Sequence, residues 1–520
     1  MIAVEDLDGR PGDEVLTLAT HGSSGGRTTW SVRAHRLSDG SRLWTRRFTD
    51  HFPQEFPRRD SIAIADLRGG PGREVVVVHH RDGVPGTART TVTALGGSGR
   101  VRWRVDLGDG VRVDLGFAAA KAGPLGATVA AMPGVDGDGR RDLLVSFDPG
   151  PVAEACNPVG GLPCVEWFHR GVNAQVIDGR DGEVISSFVG DHHYRFVSAG
   201  FYPMQDLSGD SSPDIVEISD EGDVTLWSAY GEVHWQRRLY DAGIPAGAEL
   251  DGDPGTREIV LQWCGLERPP TDPLFFGPPW SGFCALNGED GVVLWRLKER
   301  ELLGVVGDAD GDRSDDLAIR TRGGVAVVSG RNLDAIWRRR FEPWTRERAG
   351  RSNVMEARCC TRLGRDAVGD VTLREEIVDR TRGSRTRVAV LSGVDGALRR
   401  SAVMLKVCRR VIDGALCPHV LPAGREIAVL DHRDGRRLGV TLLDGATLRR
   451  LWTGRIAAPE KRGYWGYAPA AWDDFGRPPG LALGETPGER MLVTDFIYRN
   501  DAWLSAVAAV DGAGTRWRIP

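Results

Sequence analysis

Lysine is nearly missing from this chain: only Lys121, Lys298, Lys406 and Lys461 occur among 67 basic residues, and the other 63 are arginine. The skew reads as the codon bias of a GC-rich genome rather than as function. There is no basic excess either. A net charge of −5 and a pI of about 6.2 argue against a nucleic-acid binder, which would carry a basic stripe or patch. No apolar run reaches the length of a membrane span. The N-terminus, MIAVEDLDG, has neither a basic n-region nor an apolar h-region, so no signal peptide is visible. Strand-like sequence follows Met1 at once, and a leader on a longer form is the expectation. Helical periodicity is nearly absent.

What the chain has is size, turns and tryptophan. At 520 residues it exceeds the length at which one core stops growing, so two or three domains or one repeat array are expected. Sixty-eight glycines imply many turns and therefore short strands. Sixteen tryptophans stand against seven tyrosines. The eight cysteines fall in neighbouring pairs: Cys156 with Cys164, Cys264 with Cys284, Cys359 with Cys360, and Cys408 with Cys417. An even number, paired locally in loops, suggests disulfides and an oxidising compartment. The alternative is eight reduced thiols.

Two signatures alternate along the chain. One is an acidic turn that runs into an aliphatic strand: DLDGRPGDEVLTLA from Asp6, DLRGGPGREVVVV from Asp66, GVDGDGRRDLLVSF from Gly134, DLSGDSSPDIVEIS from Asp206, ELDGDPGTREIVLQW from Glu249 and DADGDRSDDLAIR from Asp308. The other is a glycine turn before a strand that usually ends in tryptophan, as in LSDGSRLWTRRF, LNGEDGVVLWRLKE and VDGAGTRWRIP. Nine such repeats in 520 residues give roughly 58 residues each. Each reads strand A, acidic loop, strand B, connection, strand C, glycine turn, strand D. Four-stranded antiparallel sheets at this period predict an all-β chain, a single β-propeller. The blades are expected at roughly 1–50, 60–108, 128–190, 197–240, 245–299, 302–341, 352–404, 405–456 and 464–520. The last three are degenerate, and eight blades with one insertion is the alternative count. Trp44, Trp103, Trp235, Trp295, Trp337, Trp452 and Trp517 recur at one position on strand D, where a flat side chain wedges between neighbouring sheets as core.

The acidic loops resemble FG-GAP/VCBS repeats, the blades of integrin-α-type heads. The xDGxxGxxxW strands are similar to the PQQ-like repeats of quinoprotein propellers. The resemblance covers essentially the whole chain and implies a fold and a calcium loop rather than an activity. In such a loop carboxylates alternate along a tight turn around a hard cation, with an acid closing it at the ninth position. Blade six fits fully with Asp308, Asp310, Asp312 and Asp316. Blade four offers Asp206, Ser208, Asp210 and Asp214. Blade three has Asp136, Asp138 and Asp142, with Gly134 where the first acid belongs. Blade one has Asp6, Asp8 and Glu14, with Arg10 intruding at the fifth place. Blade five has Glu249, Asp251, Asp253 and, one residue late, Glu258. Blade two keeps Asp66 and Glu74 but places Arg68 and Gly70 between them, which predicts a metal-free loop. Structural Ca2+ suits these ligands better than magnesium, with affinity on the order of 0.1 to 1 mM. Solvated turns are the alternative.

Acidic loops and glycine turns should share one face, leaving the B–C connections on the other. Two long B–C insertions, in blades three and five, each carry a cysteine pair and aromatics: Trp167 and Phe168, then Phe275, Phe276 and Trp280. Aromatic loops on a rigid scaffold suit recognition of a protein or glycan ligand. Lids packed over the end of the blades are the alternative. The expected function is a calcium-stabilised, extracytoplasmic, non-catalytic binding or adhesion scaffold, at the cell surface or secreted, with no nucleic acid partner.

The rival is enzymatic. PQQ-dependent dehydrogenases resemble these tryptophan-bearing blades, and some place a disulfide between adjacent cysteines over the cofactor, as Cys359 and Cys360 in EARCCTRL could form. No Glu, Asn and Asp set can be assigned to a cofactor calcium. His79-His80 and His192-His193 are adjacent pairs whose side chains diverge on a strand. No HExxH or phosphate-cradling glycine loop occurs. A carbohydrate-active propeller, with its acids scattered over several blades, has no sequence feature in its favour.

Overall fold

The computed structural model describes residues 3–519 apart from 25–26, 51–60, 83–87, 108–126, 148–150, 156–164, 170–172, 191–199, 220–221, 240, 244, 254, 263, 266–281, 299–300, 322–323, 341–355, 364–367, 380–382, 405–408, 412–413, 417–418, 424–425, 433–436, 458–463, 467–480, 487–488, 501 and 512. Among the described residues there is no helix, and every sheet is antiparallel. The chain is all-β, built from the four-stranded blades of a β-propeller.

Each blade pairs its strands A to D in chain order. Blade one consists of Ala3–Glu5, Glu14–Ser24, Arg27–Arg36 and Arg42–Asp50. Blade two consists of Ile62–Ala65, Glu74–Asp82, Ala88–Leu95 and Val101–Leu107. Blade three uses Ala127–Pro133, Arg141–Phe147, Asn173–Ile177 and Val184–Val189. Blade four uses Gly200–Pro203, Asp214–Ile218, Asp223–Ser228 and Val233–Arg238. Blade five is Pro245–Ala248, Glu258–Leu261, Gly282–Leu286 and Val293–Lys298. Blade six is Glu301–Gly307, Asp316–Thr321, Gly324–Val328 and Ala335–Arg340. Blade seven is Glu356–Thr361, Asp370–Asp379, Gly383–Leu391 and Leu398–Met404. Blade eight is His419–Ala423, Glu426–His432, Arg437–Asp444 and Arg450–Ala457. The ninth sheet has five strands, because Tyr464–Gly466 and Leu481–Thr486 both pair with Glu489–Asn500 before Ala502–Asp511 and Gly514–Ile519 follow.

The chain forms two compact units. One comprises Met1–Gly247, Trp263–Pro279 and Leu286–Leu294, and the other Ala248–Gln262, Trp280–Ala285 and Trp295–Pro520.

The inner strands are buried along their length because neighbouring blades cover both their faces. In Asp214–Ile218 and Gly324–Val328 every residue is buried, whereas Val233–Arg238 on the outside buries only Trp235. Successive blades share cores: Val76, Val78 and Ala94 of blade two meet Leu143, Val145 and Ile177 of blade three. The strand-D tryptophans form the repeated lock. Their indole N–H groups donate to a carbonyl in the next blade's glycine turn: Trp44 to Gly97 at 2.7 Å, Trp103 to Gly179 at 2.9 Å, Trp235 to Gly288 at 2.7 Å, Trp295 to Gly330 at 2.8 Å and Trp337 to Gly393 at 2.7 Å. The turn is left-handed there, with glycine in blades one to five and seven and with Leu333 and Leu448 in blades six and eight. At Gly99 and Gly396 φ is +73° and +65°, and a Cβ would lie 2.7 and 2.5 Å from the ring of Trp44 and Trp337.

The blade-three insertion, expected as a loop, contains a two-stranded hairpin. Pro151–Ala155 pairs with Val165–His169, which sets Trp167 opposite Ala153 and Phe168 opposite Val152. Phe275, Phe276 and Trp280 of the blade-five insertion lie outside the described residues, as do Cys156, Cys164, Cys408 and Cys417. Cys264 and Cys284 are both disulfide-bonded and buried. Cys359 and Cys360 are bonded to each other.

Candidate metal centres

The acidic loops share one construction. The closing acid opens strand B, is buried, and accepts the backbone N–H of the apolar residue seven positions earlier. Leu7 donates to Glu14 at 2.9 Å, Val135 to Asp142 at 2.7 Å, Leu207 to Asp214 at 2.7 Å and Ala309 to Asp316 at 2.6 Å. In blade five the spacing is eight, and Leu250 donates to Glu258 at 2.5 Å. The first acid accepts the N–H of the residue three further on: Gly9 on Asp6, Gly209 on Asp206, Gly252 on Glu249 and Gly311 on Asp308, at 2.7, 2.7, 2.9 and 2.6 Å. That fourth position needs φ between +74° and +84° in these loops, which is why the sequence writes DG or SG there. The glycine turn between strands C and D reaches the same acid, since Gly179 donates to Asp142 at 3.0 Å and Gly330 to Asp316 at 3.2 Å. Acidic loop and glycine turn therefore meet at one end of the blade.

Among the described residues four sets bring three ligand atoms within 4.8 Å of one another: Asp6, Asp8 and Glu14; Asp210, Asp214 and His234; Glu249, Asp251 and Glu258; Asp308, Asp310 and Asp316. Asp136, Asp138 and Asp142 of blade three are not such a set, and both Asp142 oxygens are taken by N–H groups. Asp312 turns instead to the N–H of Ser314 at 2.8 Å, and Asp253 to that of Gly255 at 2.9 Å. Asp206 is likewise absent from the blade-four set; its two oxygens hold the N–H groups of Gly209 and Ser211. Ser208 donates its hydroxyl to Asp214 at 3.4 Å. Arg10 does not enter the ring of blade one. Its side chain is 81% exposed, and its Nε lies 3.8 Å from Asp8. In blade two Arg68 is exposed rather than seated among the acids.

Burial opposes charge on the closing acids. Glu258, fully buried, is pushed up to about 7, and Asp316 to about 6, in each case chiefly by desolvation and further by the neighbouring carboxylates. Glu14, Asp142 and Asp214 are raised for the same first reason. The Oε1 atom of Glu258 is enclosed and has no hydrogen-bond partner. An enclosed, unpartnered carboxylate oxygen beside Glu249 and Asp251 suits a hard divalent cation, which would satisfy it and offset the repulsion.

Two participants were invisible in the loop sequences. The C–D pairing slips by one residue in each of these blades, and the extra residue, just before the tryptophan position, is re-aimed by the bulge. In blade six it is Ile336. In blade four it is His234, whose Nε2 lies 3.3 Å from Asp214 and 3.7 Å from Asp210, adding a nitrogen donor that suits a borderline metal such as zinc better than calcium. In blade seven it is Arg399, whose Nε lies 2.8 Å from the fully buried Asp370. Asp370 accepts the N–H of Leu363 at 3.1 Å, so the degenerate loop keeps the common construction and seats a guanidinium at its acid. The apolar-to-acid spacing of seven was the signal available in LGRDAVGD.

No family model and no curated protein matches the chain. The FG-GAP/VCBS and PQQ-like resemblance thus rests on its own loops and strands. Solved structures similar to it include BamB from Moraxella catarrhalis, at 12% identity and a TM-score of 0.38, covering 87% of this chain and 95% of that one. Another is a eukaryotic initiation factor, at 9% identity and a TM-score of 0.47, covering 97% and 96%. The C-terminal WD40 domain of Sif2 follows at 10% and 0.39, covering 88% and 94%. Likeness of this degree carries no conclusion about activity.

Proposed function

We propose that this chain is a calcium-stabilised, extracytoplasmic β-propeller that serves as a non-catalytic binding scaffold, with FG-GAP/VCBS-type calcium loops in blades one, five and six and, in blade four, a cation site that adds His234. The observation that carries the reading is Glu258: a fully buried carboxylate, with one oxygen lacking any partner, held beside Glu249 and Asp251. A bound Ca2+ would join strand A to strand B through the loop. The disulfides at Cys264, Cys284 and Cys359–Cys360 favour an oxidising compartment. Among the described residues no helix is long and apolar enough to cross a membrane. The ligand would be a protein or glycan met by the B–C connections, where Trp167 and Phe168 stand on a hairpin. Calcium titration followed by thermal unfolding tests the cation reading. A melting temperature that rises with Ca2+ in the millimolar range supports it, and a calcium-indifferent one removes it.

The vicinal disulfide favours one second reading. Cys359 and Cys360 lie on strand A of blade seven against Gly304 of blade six, whose added Cβ would fall 2.9 Å from the Cys360 sulfur. Such a bridge resembles the one over the cofactor in some quinoprotein dehydrogenases. A tightly held absorbing cofactor with dye reduction on an alcohol would establish that reading, and a colourless protein reconstituted with PQQ and Ca2+ that reduces no dye would dismiss it.

A further inference from the structure

Blade one carries a second kind of site, far in character from the acidic loops. A cavity of about 540 Å3 is lined by His21, Arg33, Arg42, Thr45, Arg46 and Arg47. That volume falls in the range of small-molecule sites. No aspartate or glutamate is among these residues, and none of the four arginines forms an ion pair among the described residues.

The sheet register shows how the cluster is built. Ser31 stands opposite Arg47 and Arg33 opposite Thr45, so Arg33 and Arg47 are diagonal neighbours on one face. The alternate residues Trp30, Val32 and Ala34 point the other way, into the core shared with Ile62, Val75 and Val77 of blade two. His21 is the extra residue of a β-bulge between the Thr20–Trp30 and Gly22–Thr29 pairs. Bulges re-aim side chains and recur beside functional sites. Here the bulge brings the imidazole Nε2 to 2.8 Å from the buried Ser31 hydroxyl, which also accepts from Arg33 Nε at 3.2 Å.

Like charges held this way repel across the strands. Burial, reinforced by Arg42 and Arg47, holds the Arg33 guanidinium below its usual range, and burial with Arg33 and Arg47 lowers the His21 imidazole. Elsewhere the chain does pair arginines with acids, as Arg320 with Glu301 at 2.9 Å and Arg257 with Asp315 at 3.5 Å. An abundance of arginine alone therefore does not explain an unpaired cluster around a cavity.

We propose that this cavity binds a small organic oxyanion, a phosphate or sulfate ester, with Arg33 and Arg47 gripping the anionic group and Thr45 donating a hydroxyl. Guanidinium forks match the oxygens of both groups. The cavity exceeds what one inorganic ion fills, so the ester's organic part occupies the remainder. The inference is independent of the calcium loops.

Inorganic phosphate and inorganic sulfate are the probes, each titrated against sodium chloride at matched ionic strength, with thermal unfolding and calorimetry as readouts. The parent should be stabilised and should bind at least one oxyanion in preference to chloride. A response to phosphate that weakens as the pH falls through neutrality, where the inorganic dianion gains a proton, marks a phosphate site; a larger, pH-flat response to sulfate marks a sulfate site. The Arg33→Gln/Arg47→Gln variant should bind roughly tenfold more weakly or not at all. Its ligand-free melting temperature should match or exceed the parent's, because like charges have been removed. Arg338→Gln/Arg340→Gln makes the same charge change on exposed positions of blade six and should keep the response. Equal effects of chloride and both oxyanions, or an unchanged response in Arg33→Gln/Arg47→Gln, would overturn the proposal.

Discussion

Leu250 donates its backbone N–H to Oε2 of Glu258 at 2.5 Å, while Oε1 of that buried carboxylate is left without a partner. One oxygen is thus fixed by the fold and the other is free for a cation. Because the folded-state pKa, about 7, lies above the ordinary 4.5, the metal-free protein is most stable with Glu258 protonated. That contribution is complete below pH 4.5 and is lost as the pH rises through 7. Asp316, raised to about 6, acts in the same direction. Calcium binds the ionised forms, so its stabilising effect must grow over the same window. The expected result is a small calcium-induced rise in melting temperature at pH 5 and a large one at pH 8. Equal shifts at the two pH values would show that these carboxylates do not hold the ion.

Blade six separates two aspartates that its sequence makes look equivalent. Asp310 converges with Asp308 and Asp316, whereas Asp312 accepts the N–H of Ser314 at 2.8 Å. Asp310→Ala should remove most of this loop's calcium response, a loss of roughly tenfold or more in affinity. Asp312→Ala should cost about 1 kcal/mol of stability with or without calcium, as a lost turn hydrogen bond does. Calorimetric titration of both variants beside the parent tells the two roles apart.

The blades and their acidic loops were legible because both are written locally and repeated. The acids of a loop lie within ten residues, and the tryptophan position recurs after each glycine turn. His234 and Arg399 were not legible, because each reaches its acid from a strand some twenty or more residues away, through a bulge that no sequence period announces. Asp370 was overlooked for a different reason: its loop has Arg362 and Gly364 where the first and third acids belong, though the spacing from Leu363 is intact. The arginine face of blade one depends on which residues stand opposite across strands B, C and D, and alternation in one strand cannot give that.

The tryptophan lock makes a prediction about glycine rather than tryptophan. Trp337 donates to Gly393 at 2.7 Å with Gly396 against its ring. Trp337→Phe keeps the apolar contact and forfeits the donor, which should cost about 1 kcal/mol. Gly396→Ala should cost more, roughly 2 kcal/mol or above, since it combines a left-handed backbone with a Cβ placed 2.5 Å from the ring. Chemical denaturation of both variants checks the order. If Gly396→Ala proves the milder change, the ring and the turn are not in the contact described.

Blade seven offers a control for the whole cation argument. Asp370 is fully buried, as the closing acids of blades four, five and six are, but Arg399 lies 2.8 Å away with a side chain 27% exposed. The guanidinium does there what a divalent ion is proposed to do in blades one, five and six. Removing it takes a charged partner away from a buried carboxylate, which is costly even where that partner is partly solvated. Arg399→Ala should therefore destabilise the protein by roughly 2 to 3 kcal/mol, and added calcium should restore little, because among the described residues Asp370 belongs to no set of three converging ligands. Asp370→Asn in the same background should recover part of the loss by deleting the stranded charge. Unfolding measured for both variants, with and without calcium, decides it. Full rescue of Arg399→Ala by calcium would mean that three converging acids are not needed to hold the ion, and the selection of blades one, five and six would fail with it.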